Sequence, residues 1–169
     1  MKRRGILATV GGIALSTAAG CLGEEQTVPD GLTVDTRHWV DDILEEGIWY
    51  QRQEGDASVD RFHVLLEDET AAQNQTAGDD DVMEFIEETD FTESYLVVVQ
   101  NMMQSARWLE LQQIERTEDG INIAVETASP DEPYGDDAAV HSLLIRVTDE
   151  QAGTPAELRV AIDNEPTDT

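Results

Sequence analysis

Lysine occurs once in this chain of 169 residues, at Lys2, and cysteine once, at Cys21. A lone cysteine excludes an intramolecular disulfide framework and any Cys-rich zinc site. Aromatic residues are only 5%, so a core must rest mainly on aliphatic side chains. Positive charge is scarce: 10 Lys+Arg face 37 Asp+Glu, a formal net charge of -27. A chain this anionic repels other polyanions, which excludes nucleic acid as a partner. No apolar run reaches the roughly 20 residues that span a bilayer. EF-hand spacing, a His-x-x-x-His pair and a Gly-x-Ser-x-Gly elbow are all missing. Nothing in the sequence implies a cofactor. What remains is 40% hydrophobic residues in a length suited to one domain, enough to build a core.

The first residues carry a three-part pattern. Lys2-Arg3-Arg4 precedes an apolar stretch at 6–19, and small residues lead to Cys21. This is the layout of an export signal. Gly11, Gly12 and Gly20 make a poor permanent helix, although an uncleaved membrane anchor is the competing reading. Arg3-Arg4 directly before the apolar run resembles a twin-arginine signal, which exports folded proteins. Ala18-Ala19-Gly20-Cys21 resembles a lipobox, with Ala18 where a large aliphatic residue is usual. The resemblance implies cleavage after residue 20 and lipid on the Cys21 thiol. One buried acyl chain anchors reversibly and two anchor firmly, so a diacylglyceryl group is expected. The chain would then sit on the outer face of the cytoplasmic membrane, held through Cys21.

Cleavage would remove every lysine and leave 37 acids against 7 arginines, a difference of -30. Acidic runs are spread along the whole length, from Asp41-Asp42 through Asp79-Asp80-Asp81 to Asp136-Asp137. Such a coat repels itself in dilute buffer. The Debye length falls from about 10 Å at 0.1 M salt to about 3 Å at 1 M, so molar salt removes much of the penalty. Missing lysine fits the same solvent, because its long stem exposes apolar surface that concentrated salt disfavours. Surface and signal together resemble the exported lipoproteins of halophilic archaea. A partly disordered acidic protein is the other reading of this composition.

The mature chain divides into a short lipidated tether at 21–31, a β-rich domain at 32–163 and a polar tail at 164–169. Strands are expected at 61–66, 95–100, 108–114, 121–127, 140–147 and 158–162. The run 95–100 is continuously apolar up to Gln100 and suits burial on both faces. Asp119-Gly120 between two alternating runs predicts a hairpin. One helix is expected after Asp79-Asp80-Asp81, with Val82, Phe85 and Ile86 on one face. Residues 38–51 are ambiguous: Trp39, Val40, Ile43 and Leu44 fit a helical turn, whereas Ile48-Trp49-Tyr50 looks extended. The sum is a mainly β fold, a β-sandwich or small barrel of about seven antiparallel strands with one or two short helices.

Residues 91–162 resemble the small C-terminal β domain of the PrcB protease-complex subunit. The shared features are a strand after Phe91, a hairpin across Asp119-Gly120, a Pro-rich loop and a closing strand. Ser105-Ala106-Arg107-Trp108 stands where that family has a Gly-Gly-Tyr-like element. The resemblance implies a protein-binding or assembly role without catalysis.

Candidate sites are few. The loop at 129–137, stiffened by two prolines and a glycine, carries Asp131, Glu132, Asp136 and Asp137, a calcium candidate beside the reading of a solvated acidic loop. His38, His63 and His141 are isolated, and His63 and His141 lie within strand runs, where structural roles are expected. Trp39, Trp49 and Tyr50 cluster near the start of the domain and offer either core packing or an exposed binding group. The seven remaining arginines are expected to pair with carboxylates. Asn74-Gln75-Thr76 is an N-glycosylation pattern, expected in a polar loop. The functional expectation is a membrane-anchored, non-catalytic binding or assembly module with an envelope protein as its partner. The alternatives are a cell-surface hydrolase or metal-dependent enzyme, and a purely structural envelope component.

Overall fold

The apolar runs around 95–100 and 140–147 form the two middle strands of one sheet. The computed structural model describes residues 26–55, 57–131, 135, 137–150 and 153–169. Arg3, Arg4 and Cys21, together with Glu132 and Asp136, lie outside the described residues.

The elements run β1 (Leu32–Trp39), α1 (Ile48–Glu54), β2 (Arg61–Leu66), α2 (Glu69–Gln75), α3 (Asp80–Glu87), β3 (Ser94–Gln104), β4 (Trp108–Arg116), β5 (Gly120–Ala128), β6 (Ala138–Asp149), β7 (Glu157–Ile162) and β8 (Glu165–Pro166). They build two four-stranded sheets, ordered β1-β6-β3-β2 and β4-β5-β7-β8. The chain is therefore mainly β and sandwich-like, with three short helices and no closed barrel among the described residues. The expectation of all-antiparallel strands needs one correction. β5 pairs with β7 in parallel, because the chain crosses to the first sheet as β6 before returning. Gly120 makes that pairing feasible, since a Cβ there would collide with the Glu157 backbone.

Two cores explain the strand compositions. Between the sheets lie Tyr95, Val97 and Val99 of β3, Leu143, Ile145 and Val147 of β6, and the inward residues of β4, β5 and β7. On the opposite face of the first sheet, Leu96, Val98 and Leu144 pack under Ile48, Val82, Phe85 and Ile86 from the helices. β3 and β6 thus sit in a middle layer, buried on both faces, which requires unbroken apolar runs. The outer strands β4 and β5 bury one face and alternate accordingly.

The α3 helix is as expected. Asp79 caps it by accepting from Val82 N at 3.2 Å, and the acidic first turn suits the positive helix end. Arg146 closes its other end, donating to Phe85 O at 2.8 Å while its guanidinium lies 4.1 Å from the Phe85 ring centroid. The helical turn expected over Trp39, Val40, Ile43 and Leu44 does not form: Trp39 ends β1, and the chain bends before α1. Ile48-Trp49-Tyr50, expected as extended, starts helix α1.

Residues 164–169 are polar and fold back onto the domain. Asp163 and Asn164 both take positive φ, 52° and 67°, which is the mirror-image turn that joins tight hairpins. β8 then pairs with β7, and Thr167 Oγ1 lies 2.6 Å from His63 Nδ1. At the other end, Thr27 bridges the β4 bulge at Gln113, donating to Gln112 O at 3.0 Å and accepting from Ile114 N at 2.9 Å. Among the described residues, no helix is long and apolar enough to cross a membrane.

Candidate functional site

The linker between β1 and α1 is held by a buried amide. Gln100, fully buried on β3, turns its side chain toward the helix layer. Its Nε2 donates to Asp42 Oδ1 at 2.8 Å and to Ser142 Oγ at 3.0 Å. Its Oε1 accepts from Ile48 N at 3.2 Å. Asp42 Oδ2 accepts from Trp49 N at 2.9 Å, and Ser142 Oγ donates to Asp41 O at 2.6 Å. The first N–H groups of a helix have no partner within it. Gly47, at the capping position of α1, has no side chain to offer them, so Gln100 and Asp42 supply the acceptors from elsewhere. A Cβ at Gly47 would collide with Asp42 and come within 2.7 Å of Gln100 Oε1.

This network fixes the orientation of α1. Ile48 is driven into the helix-side core and is fully buried. Trp49 and Tyr50, the next two residues, are turned outward and remain 48% and 42% exposed. Val40, 52% exposed, completes the large exposed hydrophobics among the described residues. Trp49 and Tyr50 line a surface cleft with Asp41, Asp42, Glu45 and Glu54. Two aromatic faces ringed by carboxylates can receive a partner's apolar and cationic side chains together. Trp39 separates from this group: it packs edge-on against Phe85, with ring centroids 6.3 Å apart. The sequence cluster of three aromatics therefore divides into one packing residue and two exposed ones.

The three histidines occupy two places. His38 of β1 and His141 of β6 meet, with His38 Nε2 and His141 Nδ1 3.1 Å apart and ring planes 21° from parallel. His141 Nε2 lies 3.1 Å from the main-chain oxygen of Gln104, so that nitrogen carries the proton. Its Nδ1 then holds a lone pair, and His38 Nε2–H donates to it. Burial, with the neighbouring His141 adding to it, pushes the His38 imidazole down to about 4. Burial also lowers His141, against the opposing bond to Gln104. His63 lies apart on β2, where Thr167 Oγ1 gives its proton to Val160 O and accepts from Nδ1–H. Burial lowers His63 as well, partly offset by Asp168.

Other candidates are dispersed. Asp137 Oδ2 accepts from Ser105 Oγ at 2.6 Å, and Asp131 lies at the far end of the acidic loop. Among the described residues, no group of three or more His, Cys, Asp or Glu side chains converges on a metal position. Asn74 is exposed but stands on helix α2 rather than in the loop expected for it. Thr76 of the same triplet is buried, its hydroxyl donating to Ala72 O at 2.7 Å. Arg37, Arg52, Arg61, Arg116, Arg146 and Arg159 each pair with a carboxylate. The Arg116–Asp149 pair has a nearly buried carboxylate and raises the arginine further.

Sequence reading missed Gln100, Asp42 and Ser142. The one signal was the polar end of an otherwise apolar run, since an amide in a doubly buried strand needs partners. Comparison with protein-family models, curated proteins and solved structures returns no match.

Proposed function

We propose that this chain is a lipid-anchored, non-catalytic binding or assembly module in a high-salt envelope, held on the outer face of the cytoplasmic membrane through Cys21. The observation that supports it most is the pair Trp49 and Tyr50, exposed together on a helix pinned to the central sheet. Holding two large aromatic side chains at a water-facing cleft on a fixed backbone favours recognition, because little conformational entropy is then lost on binding.

The tether supports an orientation. Five residues lie between Cys21 and Thr27, six residue steps along the chain, and Thr27 is fixed to the β4 edge. An extended chain of that length reaches about 20 Å, so the second sheet would lie close to the lipid. The aromatic pair belongs to the helix layer, on the other side of the first sheet. It would face outward, toward an envelope protein. The acidic rim favours a partner surface bearing arginine or lysine.

Asn74 is exposed on helix α2, and Asn74→Gln should raise gel mobility where a glycan is attached.

Photo-crosslinking in intact cells tests the binding face. A crosslinking residue at position 49 should give one discrete adduct that the same residue at exposed Glu115, on β4, does not. Equal adducts from both positions, or none from position 49, would overturn this face.

A further inference from the structure

We propose that His38 and His141 form a two-imidazole site for a borderline divalent transition metal such as zinc. The claim stands on geometry independent of the aromatic face. Zinc binds imidazole nitrogen at about 2.0–2.1 Å. Two such bonds place their nitrogens about 2.9 Å apart at a right angle and about 3.4 Å apart at the tetrahedral angle. The observed separation, 3.1 Å, falls between these limits.

His141 is prepared in the manner of a metal ligand. Its Nε2–H is taken up by the Gln104 carbonyl, 3.1 Å away, which fixes the tautomer and leaves the Nδ1 lone pair aimed at His38. A main-chain carbonyl on the far nitrogen is the usual outer partner of a ligating histidine. His38 stands on the edge strand β1 and is partly exposed, so an ion reaches the pair from its side. Binding requires the His38 proton to move from Nε2 to Nδ1 through solvent, with a small turn of the ring. No net proton is released, and both nitrogens then present lone pairs to one ion. Water completes the coordination. Imidazole ligands select zinc, copper or nickel over calcium and magnesium.

The other reading is a plain hydrogen bond between two imidazoles, and His38→Gln separates the two. Glutamine keeps an N–H donor for His141 Nδ1 and loses the ligand. The full-length chain should be titrated with zinc sulfate in molar NaCl near neutral pH, by calorimetry and by thermal melting. The wild type should take up zinc and melt higher in its presence. His38→Gln should fold, bind at least about tenfold more weakly and lose the zinc-dependent rise in Tm. His63→Gln should behave as the wild type. An unchanged isotherm and Tm response in His38→Gln, or no zinc response in the wild type, would overturn the site. Should His38→Gln fold poorly, the copper-loaded wild type gives the decision. Its electron spin resonance should show coupling to two imidazole nitrogens, and coupling to none would reject the proposal.

Discussion

The Gln100 amide donates to Asp42 Oδ1 at 2.8 Å, joining the central strand to a surface linker 58 residues earlier in the chain. The same side chain accepts from Ile48 N, so one buried amide sets both the path of the linker and the start of α1. Everything proposed for the aromatic face depends on that connection.

Gln100→Leu should therefore cost about 1–3 kcal/mol, because Asp42, Ser142 and the Ile48 N–H each lose a buried partner. Denaturant unfolding measures the loss. Amide exchange at 48–54 should rise beyond the global effect, since α1 is released first. Unchanged stability with unchanged exchange in α1 would contradict the role given to this residue.

Gly47→Ala should act on the same network by a different route. The added methyl group meets Asp42 and Gln100, and neither can withdraw without breaking its bonds to α1. Overpacking of this kind costs about 1–3 kcal/mol. In contrast, Trp49→Ala removes an exposed side chain and should change stability by no more than about 0.5 kcal/mol. A double variant, Gly47→Ala with Gln100→Leu, should lose less than the two single losses combined, because both disturb one set of bonds.

Much of this fold was legible in the sequence. The run ending at Gln100 required a strand covered on both faces, and β3 is that strand. Asp79 and the spacing of Val82, Phe85 and Ile86 marked α3, and Asp119-Gly120 marked the β4–β5 hairpin. The misses have physical causes. Ile48, Trp49 and Tyr50 favour strands by propensity, but tertiary acceptors for their N–H groups turn them into a helix. β1 alternates Leu32 and Val34 with Thr36 and His38, a face too polar to read as a strand. Helix α2 buries only Ala72, so it has no apolar stripe. β8 depends on Asp163-Asn164 accepting left-handed φ, a weaker turn signal than Asp-Gly. The candidate face was half legible: the aromatics were visible, while the amide that orients them acts across distant positions. The histidine pair joins residues 103 apart and left no local trace.

The fold should require salt. The chain carries 37 acids against 10 Lys+Arg, and most ion pairs among the described residues are at the surface, where each contributes little. Circular dichroism melts at fixed pH should show a cooperative transition in molar NaCl that weakens steadily as salt falls toward 0.1 M, following the growth of the Debye length. A Tm that does not vary with salt would remove the halophilic reading.

Acidification should weaken the fold through His63. Burial lowers the folded-state His63 value below the roughly 6.5 of an unfolded histidine. The unfolded chain then binds more protons in the interval between the two values, so stability rises with pH there. The contribution is complete above about pH 6.5 and is lost as pH falls through the folded value. Asp168 opposes the shift and limits its size. Unfolding in molar salt between pH 7.5 and 5 should show this decline, and His63→Gln should make it shallower. Identical pH slopes in the two proteins would contradict the assignment.

Membrane attachment through Cys21 underlies the whole functional account, and the intact mass of the protein from the membrane fraction tests it most directly. The account predicts a chain that begins at Cys21, lacks residues 1–20 and carries the added mass of a diacylglyceryl group. A full-length, unmodified chain recovered from the cytosol would contradict it.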